Sequence, residues 1–432
     1  MKKFRLNTII IACSALFLAG CGDSETNITE ITPTPTDEHD HDHGGEVGKG
    51  RLAIADADQA VVHFFDLEDN SLVETITLTN PATALHASPE NRYAIAVQKD
   101  ANDYGNIEFI DGGVWQELHG DHYDQHVDAP VLTSFNMEGV KPAHYVPRGD
   151  KTVLYFDGDS TGVNASLNVL SDESITGGKV IASHDFTTFL HGTGEIRGEY
   201  VLTVQRSAGL ADGLPDQVVL FETHGDHFHE EQVFDTKCVD LHGSHQTENH
   251  IAFACDDGIL TITQNNSTFT ESKIAYPDDV PESKRIWTLK ASEHNPNFLG
   301  LTPRGIFIID PVNQSISRFE RPDEENTYFP RYAFDGHHEH FLLLDKNGAL
   351  NAYSAENNWE LEKTIPVLEP LEDDVRPLII SSKAHELVYI INGQEVTTVD
   401  LHEGEVVGHF DLDFTPGKAA WLGVINEEEH EH

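Results

Sequence analysis

Basic residues are scarce in this chain: 27 Lys and Arg stand against 74 Asp and Glu in 432 residues, a formal charge of −47. That balance leaves no basic footprint for a nucleic acid, so no nucleic-acid partner is expected. A field of this sign does concentrate cations. Helical periodicity is almost absent after Gly50, which argues against helical and α/β architectures. No Rossmann glycine string, Walker motif, haem CxxCH or HExxH occurs, and the classes those motifs carry go with them. Cysteine is limited to four residues, of which Cys13 and Cys21 lie at the very start.

Histidine is abundant by contrast, at 26 residues, and it clusters. The densest stretch, Thr223–Gly258, holds His224, His227, His229, His242, His245 and His250 with interleaved carboxylates and both remaining cysteines. Imidazole and carboxylate are the usual ligands of a borderline divalent metal, zinc above all.

The first 21 residues read as a lipoprotein signal peptide. Lys2, Lys3 and Arg5 form a basic start, Asn7 to Phe17 is a short apolar run, and Leu18-Ala19-Gly20-Cys21 matches a lipobox. The run is short for a membrane span and ends in small residues. Cys21 is therefore the expected lipidation site, anchoring the protein to a bacterial envelope membrane, facing the periplasm or the cell surface. Residues 22–50 are rich in Thr, Pro, Asp, Glu, His and Gly and read as a disordered tether. Within it, His39, His41 and His43 alternate with carboxylates, a pattern suited to weak metal capture.

Residues 51–432 read as one all-β domain. Runs of four to seven residues with period-two alternation, bounded by Gly, Pro, Asn and Asp, recur every forty to sixty residues, the spacing of propeller blades. Second-strand runs begin near residues 51, 92, 151, 199, 250, 298, 341 and 387. The first lacks an innermost strand and the last is followed by a surplus one, Lys418 to Ile425. Their pairing would close an eight-bladed β-propeller. A seven-bladed ring, with the copy at Trp287–Phe319 misread, and a double β-sandwich are the competing architectures.

On that scaffold the histidines are periodic. His86, His144, His191 and His242 each precede a second-strand residue (Ile95, Val153, Tyr200, Ile251) by the same offset. They are expected near the exit of four successive innermost strands, facing one mouth of the central channel. The string His-Gly-Asp-His recurs at His119–His122 and His224–His227, each between a third and a fourth strand. Those loops, with His126 and His229, are expected on the same face as the ring. Two adjacent ring histidines with a loop histidine or Asp121, Asp124 or Asp226 would supply a tetrahedral site with one position open. Cys238 and Cys255 oppose each other in the register that pairs His242 with Ile251. They read as a disulfide in an oxidising compartment, a zinc dithiolate being the alternative.

These motifs resemble the periplasmic zinc metallochaperones of the AztD type. The resemblance is carried by Glu38–His43, by Phe109-Ile-Asp-Gly-Gly-Val-Trp115 followed by His119–His122, by His224–His229, and by Cys238-x-x-Leu-His242 with Ala254-Cys255-x-Asp-Gly258. It implies a β-propeller that binds Zn2+ tightly and hands it to the solute-binding protein of a zinc ABC transporter, with a His-rich tail aiding transfer and no catalysis. The lipobox departs from the soluble pattern, and Tyr123-Asp124-Gln125 is sparser in histidine than His227–His229. Two other functions remain open at this level: a metal-dependent, lactonase-like propeller hydrolase, and a propeller serving only protein interaction. The hydrolase calls for carboxylates, Asn and a general base deep in the channel, where imidazoles are expected here.

Overall fold

A computed structural model describes residues 47–426 apart from 121, 278–279, 281–284, 303–304 and 322–330, together with the backbone but not the side chain of His122. The signal peptide, Cys21 and the tail histidines His39, His41 and His43 lie outside the described residues. Within them the protein is all-β except for one short helix, Asp172–Thr176, and eight four-stranded antiparallel sheets form the blades of a propeller. No helix among the described residues is long and apolar enough to cross a membrane.

Blade 1 closes the ring. Its outer three strands, Arg51–Asp56, Val61–Asp66 and Leu72–Thr77, take their innermost partner from the other end of the chain, Pro416–Leu422. The register runs Arg51↔Leu422 to Ala55↔Lys418, so the surplus strand fills the missing position and no innermost edge is left open. Val47–Gly50, assigned from sequence to the tether, already lie against the body. The Val47 carbonyl is 2.8 Å from His385 Nε2, and Trp421 Nε1 donates to the Lys49 carbonyl at 2.8 Å.

Blades 2 to 8 are contiguous in sequence. Their innermost strands are Ala82–Ala87, Pro142–Arg148, Gly194–Arg197, Ser244–Gln246, Thr288–Lys290, Arg331–Phe334 and Leu378–Ser381. The doubtful copy at Trp287–Phe319 is a complete four-stranded sheet, which fixes the ring at eight. Blade 2 carries an added hairpin, Val114–His119 paired with His122–Val127, between its third and fourth strands.

The second strands are apolar on both faces because each blade is packed between two others. In blade 5, Ile251 and Phe253 join a core shared with blades 3 and 4, whereas the smaller Ala252 and Ala254 face blade 6 and pack with Ile286 and Leu289. Each large side chain buried this way adds about 1.5–3 kcal/mol relative to exposure. The blades therefore cohere through their faces, and the polar side chains of the innermost strands are free to line the channel.

Candidate metal centre

Strand direction sorts the molecule into two rims. Each innermost strand starts at one rim and ends at the other. The rim where it starts also carries the turns between second and third strands. The opposite rim carries the first-to-second turns and the third-to-fourth loops.

His144 is the third residue of its strand, and His191 and His242 stand just ahead of strands that begin at Gly194 and Ser244. All three lie at the entry rim, on three successive blades. The two His-Gly-Asp-His loops lie at the opposite rim, so the expectation that they share a face with the ring histidines is corrected. The cause is turn length. Counting back from the second strand lands inside the innermost strand at His86, which does pair with Ile95, but further back in the blades with shorter turns. His144 pairs with Tyr155 rather than Val153, and Ile251 pairs with Gln246 rather than His242.

The entry-rim imidazoles converge. His144 Nε2 is 3.3 Å from His191 Nε2, and the His191 and His242 ring centroids are 5.2 Å apart. His242 stands further from His144, at 6.5 Å and edge-on, with its ring 4.7 Å from that of Trp287. His191 Nδ1 is 2.7 Å from Asp157 Oδ2, in the second-to-third turn of blade 3. A carboxylate there holds the proton on Nδ1 and leaves the Nε2 lone pair facing His144. The other oxygen, Asp157 Oδ1, is buried without a hydrogen-bond partner among the described residues. Burial, then the neighbouring His191, pushes His144 down to about 4. Burial also lowers His242. Both rings are thus neutral near pH 7, the form that ligates metal.

A local repeat builds this arrangement. Leu190-His191-Gly192-Thr193 and Leu241-His242-Gly243-Ser244 occupy equivalent positions in blades 4 and 5. Each leucine is buried and donates its backbone N–H to the previous blade's second-to-third loop, at the carbonyls of Asp157 and Pro215. Each glycine sits where a Cβ would come within 2.3 Å of a neighbour, the Tyr155 ring at Gly192 and the Trp287 carbonyl at Gly243. The hydroxyls of Thr193 and Ser244 are 2.9 Å apart, which links the two copies. This recurrent Leu-His-Gly-Thr/Ser string was present in the sequence as a signal. Asp157 and Trp287 had none.

The other candidates are distributed elsewhere. His86 stacks on Tyr145 at 4.6 Å and is pushed down to about 4 by burial, outside the three-histidine cluster. Cys238 and Cys255 are disulfide-bonded, with Cα atoms 4.9 Å apart, as the sequence suggested. However, Cys238 lies in a loop ahead of the innermost strand rather than on it. That loop follows the end of the second strand by bonds such as Asp256 N to the Val239 carbonyl.

At the exit rim, His224, His227 and His229 share one face of the hairpin Gln217–His224/His227–Val233, with centroids 4.7 Å (His224–His229) and 5.4 Å (His227–His229) apart. Glu231, one of the carboxylates interleaved with these histidines in the sequence, and Glu222, which sequence reasoning passed over, project from the same face. One ligand atom each from Glu222, His224 and Glu231 lies within 4.8 Å of the others. The added hairpin of blade 2 is less complete. His119 is 3.1 Å from Asp124 and pairs across the tip with His122. His126 stacks on Trp115 at 4.1 Å, and Arg92 lies over the same Trp115 ring.

Asp335, Glu339 and His340 also meet the spacing for an ion. There the imidazole has both nitrogens on carboxylates, Asp335 at 2.8 Å and Glu362 at 3.1 Å. That is a clamp for an imidazolium, and it raises His340 to about 9.

The protein is thus an eight-bladed β-propeller with a convergent imidazole cluster at one rim of its channel and a histidine–carboxylate hairpin at the other. No family model matches the chain. It is a homologue of the zinc chaperone AztD of Citrobacter koseri, to which it is 25% identical over 406 residues, 90% of either chain. The solved apo structure of that AztD superimposes with a TM-score of 0.70 at 23% identity, covering 87% of this chain and 98% of the other. A second crystal structure of Citrobacter koseri AztD gives 0.70 with 87% and 99% covered. Dihydro-heme d1 dehydrogenase NirN, at 0.54 and 11% identity over 88% of this chain and 77% of its own, shares the fold alone.

Proposed function

We propose that this protein is a zinc-binding envelope lipoprotein, tethered through Cys21, that acquires zinc and passes it to the solute-binding protein of a zinc ABC transporter without catalysing a reaction. The observation that carries the reading is the 3.3 Å separation of His144 Nε2 and His191 Nε2. Two nitrogens bound to zinc at about 2.0–2.1 Å in tetrahedral geometry stand about 3.3–3.4 Å apart. His242 supplies a third imidazole on turning toward them, and the orphaned Asp157 oxygen lies beside the group. Further support comes from the zinc chaperone AztD, similar over nine-tenths of the chain.

The chain's own residues suit capture and release. Neutral imidazoles take up the ion without first losing a proton. The Asp157 carboxylate orients His191 and strengthens it as a donor. Three ligands at a rim leave a position open, through which an incoming ligand of an acceptor protein can begin to take the ion. The exit-rim hairpin, with Glu222, His224, His227, His229 and Glu231, and the tail histidines His39, His41 and His43 are read as weaker collecting sites that raise the local zinc concentration.

The test is a competitive zinc titration of protein lacking residues 22–46, as wild type and with His144, His191 and His242 all replaced by alanine. The wild type is expected to bind one zinc tightly and to transfer it to a zinc-free solute-binding protein. Tight binding that survives the triple substitution would overturn the site, and absence of transfer would overturn the chaperone role.

A further inference from the structure

Exposed apolar side chains are unevenly placed around the entry rim. Val163, Leu210, Val239 and Trp287 are 39–44% exposed and stand there on successive blades. Val163 lies in the second-to-third loop of blade 3 and Leu210 in that of blade 4. Val239 lies in the loop that leads into blade 5, and Trp287 stands just ahead of the innermost strand of blade 6. Tyr104, which opens the third strand of blade 2, continues the row. Among the described residues, blades 7, 8 and 1 expose no large apolar side chain at this rim. The sector that carries the row is thus the one that carries His144, His191 and His242. Single exposed apolar residues need no explanation, but a row confined to one sector marks a surface that another molecule covers.

Hydrogen bonds tie these loops to the backbone beside the histidines. The loop bearing Val163 begins at Asp157, whose carbonyl accepts from the N–H of Leu190, the neighbour of His191. The loop bearing Leu210 is fastened at both ends. Arg206 donates to the Phe189 carbonyl at 2.8 Å, two residues before His191. Pro215 accepts from the N–H of Leu241, the neighbour of His242, at 2.9 Å. Val239 shares its loop with His242, and the Trp287 ring is 4.7 Å from the His242 ring. The apolar row and the imidazoles therefore form one connected surface.

We propose that the zinc-accepting protein docks on this sector of the entry rim, seating an apolar patch of its own on Leu210, Val239 and Trp287. The proposal rests on the chaperone reading and adds where the hand-over takes place. An acceptor ligand must come within about 2.0–2.1 Å of the ion to replace a histidine. As its bond to zinc forms, one bond from zinc to a histidine nitrogen breaks. A partner that close covers the loops around the imidazoles, and those loops present the apolar row. Trp287 is the anchor, since an exposed tryptophan at the centre of a contact carries a large share of its energy. The fringe sets the charge of the partner. Asp212, Asp240, Asp256 and Asp257 are exposed around the row, and Lys273 and Arg285 are already paired with the last three. In a chain of formal charge −47 this fits an acceptor whose patch is edged by basic side chains.

The experiment follows zinc transfer from the full, zinc-loaded chain to the zinc-free solute-binding protein of a zinc ABC transporter over a series of acceptor concentrations. Wild type is compared with Leu210→Ser/Val239→Ser and with Val312→Ser, an exposed apolar residue at the exit rim. Trp287 is spared because its ring also touches His242. The double variant is expected to keep wild-type zinc affinity and to transfer about fivefold or more slowly at low acceptor concentration, recovering at saturation. Val312→Ser is expected to match wild type. An unchanged rate in the double variant, equal slowing by Val312→Ser, or slowing that persists at saturation would each overturn the docking surface. So would a wild-type dimer that the double variant dissolves in sedimentation, because the surface would then belong to a second copy of this chain. Wild type that binds zinc but does not transfer it overturns the chaperone reading, and the surface falls with it. Should the double variant fail to fold, Leu210→Ser alone carries the same comparison, with slowing of about twofold or more expected.

Discussion

His191 joins two blades through one ring: Nδ1 is 2.7 Å from Asp157 Oδ2 of blade 3, and Nε2 is 3.3 Å from His144 Nε2 of the same blade. The carboxylate therefore fixes both the tautomer and the direction of the ligating nitrogen. Replacing Asp157 by Asn keeps the shape but allows the amide to present N–H, which favours the wrong tautomer. Zinc affinity is expected to fall roughly 10–100-fold, with the fold retained. A competitive titration measures this. An affinity within a factor of two of wild type would remove Asp157 from the account.

Gly192 tests whether the backbone next to the cluster can move. A Cβ there meets the Tyr155 ring carbon at 2.3 Å, and Tyr155 is itself fully buried between blades, so the strand must give way. Gly192→Ala is expected to cost about 1–3 kcal/mol of stability and to displace His191 from His144. The paired measurement is urea unfolding and zinc titration of the same preparation. A variant that loses stability but keeps full zinc affinity would show that the glycine serves packing alone.

The Cys238–Cys255 bond fastens the loop that leads into His242. It closes a loop of sequence separation 17, worth about 3 kcal/mol in the chain-entropy model. Reduction, or Cys238→Ala with Cys255→Ala, is expected to lower the unfolding midpoint and to weaken zinc binding by loosening His242, with His144 and His191 unaffected. Equal midpoints for oxidised and reduced protein would refute the stabilising role.

The blade count was legible because a propeller repeats one supersecondary unit. Period-two runs such as Ile251-Ala252-Phe253-Ala254 mark the strand that every blade buries on both faces. The surplus strand at Pro416–Leu422 marked the closure. The converging histidines were legible as a periodicity, but their rim was not. A constant offset from the second strand hides the turn, and residues 88–92 make a longer turn in blade 2 than Gly149-Asp150 make in blade 3. Asp157 was out of reach for another reason. Nothing in its own stretch of sequence ties it to a histidine, and its partner arrives from the next blade, 34 residues on. The cysteines were paired correctly from an incorrect register, because the loop bearing Cys238 follows the second strand beyond the point where the ladder ends.

His340 gives a pH signature unrelated to metal. Asp335 at 2.8 Å and Glu362 at 3.1 Å hold opposite nitrogens of its ring, and these two carboxylates raise it to about 9. Hydrogen bonding to Asp335 is the largest cause and outweighs the opposing effect of burial. A group held above its unfolded value of about 6.5 contributes stability that is complete below that pH and is lost as pH rises through 9. The ring is about one-fifth exposed, so the contribution is put at about 2–3 kcal/mol after allowance for screening. His340→Gln is expected to unfold at lower urea than wild type at pH 6, with the gap closing by about pH 10. Metal-free protein should behave in the same way. A gap of equal size at both pH values would mean that His340 acts by packing and not as an imidazolium.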